Sequence, residues 1–536
     1  MSNALYYGDN LDVLRDSIAS ESVDLIYLDP PFNSNANYNV LFKAPSGEQS
    51  AAQIEAFEDT WHWNESAALA FDEVRTSPNS DAAIMLRAMQ AALGNNDMMA
   101  YLAMMAVRLL ELHRALKPTG AIYLHCDSTA SHYLKIILDS IFGNENYRNE
   151  IIWKRRVGMS SAVHESNRYG NITDTILFYA KSSKAQFYPQ YNLYDSDYQK
   201  YIEDRFTMID SDGRRFQATS LVNPAPRPNL RYEYKGYAPP PNGWMISREK
   251  MEQWDGEGRI YFPKEPSGRL RRKSYADELR GMPVQNLWTD IQELNSQAQE
   301  RLGYPTQKPV SLLERIIGAS SKPGDTVLDP FCGCGTTIHA AQKLERSWIG
   351  IDVTHLAISL VERRLKEAFP NLNYDVFGVP SDIGGARDLA RRDKYEFQKW
   401  ITGKVGAQPY KGGKKGMDRG IDGYLHFRDA DQRPQFAVVS VKGGSTNPGH
   451  VRDLKGTVGR EEAAMGLFLT LNEPTREMER EAASAGFYET GGMKFPRLQI
   501  LTATQILDGR RPQVPFGFTD GFKRAAKERT NQPSLL

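Results

Sequence analysis

The 536-residue sequence has few cysteines: only Cys126, Cys332 and Cys334, too few for a disulfide framework or a four-thiolate zinc site. That scarcity points to a reducing compartment, so a cytoplasmic protein is expected. No run approaches the ~20 consecutive apolar residues that a membrane span needs. The opening MSNALYYGDN has neither the basic nor the apolar segment of a secretory signal, and no membrane partner is expected. Neither sign of charge is in excess, since 66 Lys+Arg balance 66 Asp+Glu, so net charge singles out no polyanionic partner. Core material is present in ordinary amount. With 40% hydrophobic and 25% charged residues the chain is globular rather than disordered. At roughly 100–200 residues per domain, its length suggests about three domains.

Charge is uneven locally. Residues 151–280 hold 22 Lys+Arg against 16 Asp+Glu, with clusters at Lys154, Arg155, Arg156 and at Arg269, Arg271, Arg272, Lys273. A solvated face shows the same pattern. The first buried strand, Val23–Leu28, is stopped by Asp29-Pro30-Pro31-Phe32, because prolines cannot donate to a central ladder. Apolar residues at helical spacing predict helix through 51–116, then a strand at 121–125 and a helix over 131–143. From about 151 to 300 the periodicity fades and Tyr, Trp, Pro, Asn and Arg accumulate. An inserted, loop- and strand-rich domain is expected there, with Trp153, Tyr232, Tyr234 and Trp244 in its small core. Regularity returns with a strand at 326–328, a glycine-bearing turn, a helix, a strand at 348–352 and a long helix to about 368. This repeat predicts a parallel sheet flanked by helices. A boundary is expected at 370–385, then a helix near 386–403, strands at GYLHF, FAVVSVK and GLFLTL, and further helix.

Two segments carry chemistry. In Asp329-Pro330-Phe331-Cys332-Gly333-Cys334-Gly335-Thr336-Thr337, glycines between strand and helix let backbone N–H groups and the positive helix end approach a ligand. Asp352 closes the next strand, 17 residues after Gly335, where a carboxylate can accept two hydrogen bonds from ribose hydroxyls. The spacing is not G-x-G-x-x-G, so a nucleoside-bearing ligand without a pyrophosphate fits better than a dinucleotide. A tight turn beside a surface acid would show the same residues. In the second segment, Asp29 can accept a hydrogen from an amino group, the Pro30 carbonyl can accept another, and Phe32 can stack on a planar base. The plain alternative is a proline-terminated strand with a core phenylalanine.

DPPF followed much later by DPFCGCGTT resembles the amino-group DNA methyltransferases of the β arrangement, in which the catalytic motif precedes the cofactor motif. The resemblance runs through Tyr7-Gly8-Asp9-Asn10-Leu11, VDLIYLDPPFNS, LKPTGAIYLHCD, YPTQKPVSLLERII and VLDPFCGCGTTIHAA, most of residues 1–370. It implies a Rossmann-like α/β sheet: a catalytic half over 1–150 with a helical insertion at 45–116, a target-recognition region over 151–300, and a cofactor-binding half over 301–375. The implied cofactor is S-adenosyl-L-methionine. Asp329, Phe331, Gly333, Gly335, Thr336 and Asp352 would line its pocket, with Thr306, Gln307 and Lys308 from the preceding segment and Asp9 reaching the adenine ring. Double-stranded DNA is the implied partner, its phosphates held by the two basic clusters. The family also admits a second copy of the chain and a restriction subunit as partners.

In the implied reaction Asp29, Pro30, Pro31 and Phe32 are the catalytic motif. An exocyclic amino nitrogen is a poor nucleophile because its lone pair is delocalised. Hydrogen bonds to Asp29 and the Pro30 carbonyl would aim that lone pair at the transferred methyl, so the reaction needs positioning but no covalent enzyme intermediate and no metal. The base must be flipped out of the duplex and stacked, here on Phe32. Residues 33–50 are either a loop that fills the vacated duplex or a plain surface loop. In this family an initial Asp accompanies N6-adenine targets and Ser accompanies N4-cytosine. Adenine is therefore expected, with N4-cytosine as the alternative. Ring-carbon cytosine transfer would need a Pro-Cys nucleophile, and protein-glutamine enzymes usually carry Asn-Pro-Pro-Tyr after the cofactor motif.

Near the carboxyl terminus, Asp418-Arg419-Gly420-Ile421-Asp422-Gly423-Tyr424 followed by Val438-Val439-Ser440-Val441-Lys442 resembles the restriction-endonuclease-like fold of the Mrr kind. The resemblance implies an α/β domain over 376–536 whose Asp422, residue 440 and Lys442 hold Mg²⁺ and orient water. Ser440 stands where Glu or Gln belongs, which removes a ligand, and Glu396 is the candidate replacement. Three readings of the chain stay open: a methyltransferase with a non-cutting appendage, a fused modification–restriction enzyme, and a non-catalytic DNA-binding module.

Overall fold

A computed structural model describes residues 3–31, 37–40, 54–58, 62–155, 169–193, 196–265, 267–294, 298, 300–302, 307–410, 420–431, 433–515 and 528; for 37–40, 54–58 and Leu356 it describes the backbone only. The chain divides into two compact units, Met1–Tyr188 with Asn286–Pro533, and Pro189–Gln285 with Ser534–Leu536.

The larger unit is built on a nine-stranded sheet. Its strands in chain order are β1 (Ala4–Tyr7), β2 (Val23–Leu28), β3 (Leu116–Cys126), β4 (Tyr147–Lys154), β5 (Thr173–Ala180), β6 (Leu287–Trp288), β7 (Thr326–Asp329), β8 (Ser347–Asp352) and β9 (Asp375–Phe377). Their spatial order is β6-β4-β5-β3-β2-β7-β8-β1-β9. Neighbours from β3 through β9 run parallel, while β5 is antiparallel to both β3 and β4. The central strands are apolar on both faces because helices cover both: Leu25, Ile26, Leu28, Val327, Leu328, Ile349 and Ile351 are all buried. The Asp97–Ala115 helix, capped by the Asn96 side chain accepting from the Met99 N–H, buries Met99, Leu102, Met105, Leu109 and Leu112. These residues join one core with the sheet.

A second sheet follows within the same unit: β10 (Gln408–Pro409), β11 (Gly423–Arg428), β12 (Pro434–Lys442), β13 (Met465–Thr470) and β14 (Leu498–Thr502), in that spatial order. β11 and β12 are antiparallel; β12, β13 and β14 are parallel. One face packs on Phe397, Trp400 and Leu389, the other on Val451, Leu454 and Met478.

Three local expectations change. The helical stretch assigned to 51–116 begins as a strand, Ile54–Glu58, paired with Asn37–Val40, and its helices span Glu65–Thr76, Ser80–Leu93 and Asp97–Ala115. The helix expected near 386–403 is two, Ile383–Arg392 and Lys394–Lys404. Asp393 divides them: it ends the first, and its carboxylate accepts from the Tyr395 and Glu396 N–H groups at the start of the second. Finally, β4 and β5, from the expected 151–300 insertion, belong to the large sheet, and the separate unit is Pro189–Gln285. Trp153 accordingly is a core residue of the large sheet, while Trp244 and Tyr234, with Tyr232 packed against them, form the small unit's core beside its four-stranded sheet.

Candidate active site

β2 and β7 lie side by side, pairing Leu25 with Val327 and Ile26 with Leu328. β2 leads on to its neighbour β3 and β7 to its neighbour β8 on the opposite side. The winding reverses between them, which opens a crevice beyond their carboxyl ends. The cavity found there, about 320 Å³, is lined by Gly8, Asp9 and Asn10 after β1, and by Tyr27, Asp29 and Pro31 at the end of β2. The turn after β7 contributes Asp329, Pro330, Phe331, Cys332, Gly333, Cys334, Thr336 and Thr337. Asp352 ends β8 and is followed by Val353 and Thr354, and Gln307, Lys308, Leu313, Met104 and Arg108 complete the wall.

The turn is shaped by its glycines. Gly335, at φ +75°, precedes the Thr336–Lys343 helix, and a Cβ there would sit 2.8 Å from Val361 Cγ2, so this position tolerates no side chain. Gly335 thus supports the turn from behind, while Gly333 faces the cavity. Cys332 and Cys334 are buried free thiols in this turn, and burial pushes both up, Cys332 well above the ordinary thiol range.

Two acids face the cavity, Asp329 buried and Asp352 half-buried. Burial pushes the Asp329 carboxyl up to about 7, although it accepts from the Phe331 N–H at 3.0 Å. Burial pushes Asp352 up to about 6, although it accepts from the Gly333 N–H (3.0 Å), the Thr354 N–H (2.9 Å) and the Thr354 hydroxyl (2.8 Å). Asp352 lines the cavity beside the Gly333 backbone. The cavity size, the glycine turn at a helix N-terminus and this acid fit the nucleoside cofactor implied by the sequence.

Asp9 has a further duty. Its carboxylate caps the Asn10–Ser17 helix through the Leu11 N–H and accepts from the Arg108 guanidinium at 2.8 and 3.0 Å. Arg108, buried on the Asp97–Ala115 helix, also donates to Asn10 Oδ1 at 2.6 Å, and Asn10 Nδ2 donates to the Pro330 carbonyl at 2.8 Å. One side chain therefore braces the β1 turn against the β7 turn. Lys308 donates to and ion-pairs with Asp29, each side chain mostly buried. Gln307 closes a local turn, its amide engaging the Leu302 N–H and the Glu300 carbonyl.

Beneath Asp29 lies a buried polar chain. The Tyr27 hydroxyl bonds His125 Nδ1 (2.9 Å), His125 Nε2 meets Asp174 (3.2 Å), and Asp174 pairs with Arg155 (3.2 Å). Burial raises the Asp174 carboxyl, but the His125 hydrogen bond and the nearby charges of Lys308 and Arg155 outweigh it and hold it below its ordinary range.

Not every expected residue stands where sequence placed it. Phe32, Thr306 and Arg156 lie outside the described residues, as do 33–36 and 41–50 of the candidate loop. Among the basic residues, Arg155 is committed to Asp174 and Lys273 to Asp210 at 2.7 Å. Arg272 lies over the Trp254 ring, 4.5 Å from its centroid. Lys154 ends β4, and Arg269 and Arg271 are exposed.

In the second sheet Asp422 is adjacent to Ser440, but its oxygens are already engaged: Oδ1 accepts from Gln398 Nε2 at 2.6 Å, and Oδ2 from the Val441 N–H at 2.6 Å and the Ser440 hydroxyl at 3.5 Å. Lys442 ends β12. Glu396 is not the missing ligand. Two positions from Gln398 on one helix it points almost oppositely, and it bonds Tyr7 and Lys399 instead. Among the described residues no group of three or more His, Cys, Asp or Glu could hold a metal ion, and Asp422 is held by neutral donors where Ser440 stands in place of an acid, so these residues do not fit Mg²⁺. Also among the described residues, no helix is long and apolar enough to cross a membrane.

Residues 23–363 match the family described as DNA methylase, N6_N4_Mtase, and residues 396–506 that described as NACHT-associated inactive Restriction Endonuclease 1. Type II methyltransferase M.EcaI of Enterobacter cloacae is 30% identical over 367 residues, 68% of this chain and 69% of its own. The type III restriction-modification enzyme StyLTI Mod subunit of Salmonella typhimurium is 26% identical over 64% of this chain, which spans half the length of that relative. Among solved structures, the PvuII DNA methyltransferase (cytosine-N4-specific) has 15% identity and a TM-score of 0.33, covering 68% of this chain and 86% of that one. The M1.HpyAVI–SAM complex has 16% identity and a TM-score of 0.29, covering 68% and 99%. With the family matched over most of the chain, and M.EcaI over two thirds of both sequences, the protein belongs to the N6/N4 DNA methylase family.

Proposed function

We propose that the protein transfers a methyl group from S-adenosyl-L-methionine to the exocyclic N6 of an adenine flipped out of duplex DNA, with its motifs in the β arrangement. The observation carrying this reading is that Asp29, from one strand, and the Asp329–Gly333 turn with Asp352, from two others, line a single cavity at the sheet's switch point.

The cofactor supplies an electrophilic methyl group on a sulfonium. The chain supplies the rest. Asp352 and the backbone of the glycine turn hold the nucleoside, and Arg108 keeps the wall in register through Asp9 and Asn10. Lys308 neutralises Asp29 and fixes its orientation at the cavity. Asp29 and the Pro30 carbonyl accept the amino hydrogens and localise the nitrogen lone pair, Phe32 stacks on the base, and Asp29 is placed to receive the proton released after transfer. Adenine rests on the Asp that opens DPPF. The Pro189–Gln285 unit, with Arg269 and Arg271 exposed, is the proposed target-recognition element. The second sheet acts without cutting DNA: Ser440 stands where an acid belongs, and Asp422 is held by neutral donors. A relative named as a Mod subunit supports a restriction subunit as partner.

The test is labelled methyl transfer to genomic DNA followed by digestion and nucleoside mass spectrometry. N6-methyladenine from wild type and none from Asp29→Ala is the expected result. N4-methylcytosine would overturn the adenine assignment, and transfer undiminished in Asp29→Ala would overturn the catalytic one.

A further inference from the structure

The junction between the second sheet and the methyl-donor site is polar where an ordinary packing contact would be apolar. Tyr7 is the last residue of β1, one before the cavity-lining Gly8, and His355 opens the helix directly after the cavity-lining Thr354. The two strand ends are already joined, since Tyr7 is the register partner of Asp352 and the Gly8 N–H donates to the Asp352 carbonyl at 3.0 Å. The Tyr7 and His355 rings stack with centroids 3.8 Å apart and planes 10° from parallel. Onto this stack the Lys394–Lys404 helix delivers Glu396. Its Oε2 accepts the Tyr7 hydroxyl hydrogen and lies 3.5 Å from His355 Nε2, while Lys399 Nζ holds Oε1 at 2.9 Å.

The same helix is anchored elsewhere. Phe397, Trp400 and Ile401 are buried in the core of the second sheet, and Asp393 caps its first turn. On the junction side Lys404 reaches Glu362 at 3.4 Å. The helix is thus a rigid strut between the nuclease-like sheet and the cavity rim.

We propose that Glu396 is a positioning residue for the methyl-donor site, acting through Tyr7 and His355 to hold the two strand ends that carry Gly8–Asp9 and Asp352–Thr354. The second sheet then serves the methyltransferase as a buttress behind its cofactor pocket. This rests on the cofactor reading above, not on the identity of the base.

Full-length wild type, Glu396→Ala, Glu396→Gln and Tyr7→Phe are titrated calorimetrically with S-adenosyl-L-methionine and assayed for methyl transfer. Glu396→Ala and Tyr7→Phe should each weaken cofactor binding about tenfold, the equivalent of ~1.4 kcal/mol. KM for the cofactor should rise equally, while kcat at saturating cofactor and KM for DNA stay within about twofold. Glu396→Gln, whose amide oxygen still accepts from Tyr7, should restore affinity to within about threefold of wild type, and the Tyr7→Phe/Glu396→Ala double variant should be no weaker than Glu396→Ala. Tyr7→Phe deletes one oxygen and carries the test if Glu396→Ala does not fold. Cofactor affinity unchanged in both single variants, or cofactor and DNA affinity lost in parallel, overturns this inference alone. Absence of binding by wild type overturns the cofactor reading together with it.

Discussion

Cofactor affinity should fall as pH drops through 6, because Asp352 must be ionised to accept hydrogen bonds from ribose hydroxyls. Burial pushes this carboxyl up to about 6 even though three donors from Gly333 and Thr354 already favour its charged form. Above pH 6 the acid is ionised and affinity is full. Below it, the ionised fraction and the affinity fall about tenfold per pH unit, ~1.4 kcal/mol. Between pH 7 and pH 5 the ionised fraction drops from about 0.9 to about 0.1, so the expected loss is about tenfold. Binding below pH 6 should therefore release about one proton. In the free protein the sign is opposite. A folded carboxyl raised above its unfolded value keeps its proton where the unfolded chain has lost it. That contribution is complete below the unfolded value near 3.8 and declines as pH rises through about 6 for Asp352 and about 7 for Asp329. Affinity and ligand-free stability thus run in opposite directions across the same window. Calorimetric titration from pH 5 to pH 8 in two buffers of different ionisation enthalpy measures affinity and proton release together, and scanning calorimetry on the same samples gives stability. Asp352→Asn should bind more weakly throughout yet lose the pH slope. Affinity that stays flat from pH 5 to pH 7 with no proton released would refute the reasoning.

Two further substitutions probe the frame of the cavity. Arg108→Met keeps most of the buried stem but removes the donors to Asp9, Asn10 and the Met104 carbonyl. Asp9 is 48% exposed and can rehydrate, so the cost falls on buried Asn10 and amounts to about 2 kcal/mol; thermal unfolding should register it alongside weakened cofactor binding, and a variant equal to wild type in both would remove Arg108 from the frame. Lys308→Met leaves Asp29 without its cation; single-turnover transfer should slow about tenfold to a hundredfold, more than cofactor affinity changes, and an unaltered rate would show that Asp29 needs no counter-charge.

The two chemical motifs were legible because each joins a buried strand to residues that cannot extend it. Prolines follow β2, and a proline and then glycines follow β7. Their adjacency was legible only through the family resemblance, which sets both motifs at one hollow; periodicity and composition do not give the strand order that places β7 beside β2 rather than beside β6. Arg108 left a readable trace as the lone cation in the apolar run MMAYLAMMAVRLL, and Asp174 left another as the acid in the strand TDTILFYA. Their partners Asp9 and His125 lie on other elements, so the sequence shows a buried charge without showing what satisfies it. The basic residues expected to contact DNA illustrate the opposite failure. Charge clustering cannot distinguish a cation facing solvent from one neutralised inside its own unit, and Lys273 and Arg155 are neutralised by Asp210 and Asp174.

Glu396 shows how a correct element can carry a wrong role. An acid on the helix before β11 is what a metal-binding nuclease would use, and the helix is there. On that helix, however, the residue that reaches Asp422 is Gln398, and a neutral amide donating to the acid competes with a cation for the same oxygen. With Ser440 on the other side, Asp422 is held by neutral donors, which favours the proposed role of the sheet over cleavage. The face carrying Glu396 and Lys399 meets Tyr7 and His355 instead, where an acceptor from outside can hold two loop ends of the proposed methyl-donor pocket. Loss of one site and use of the other follow from a single helix presenting two faces about half a turn apart.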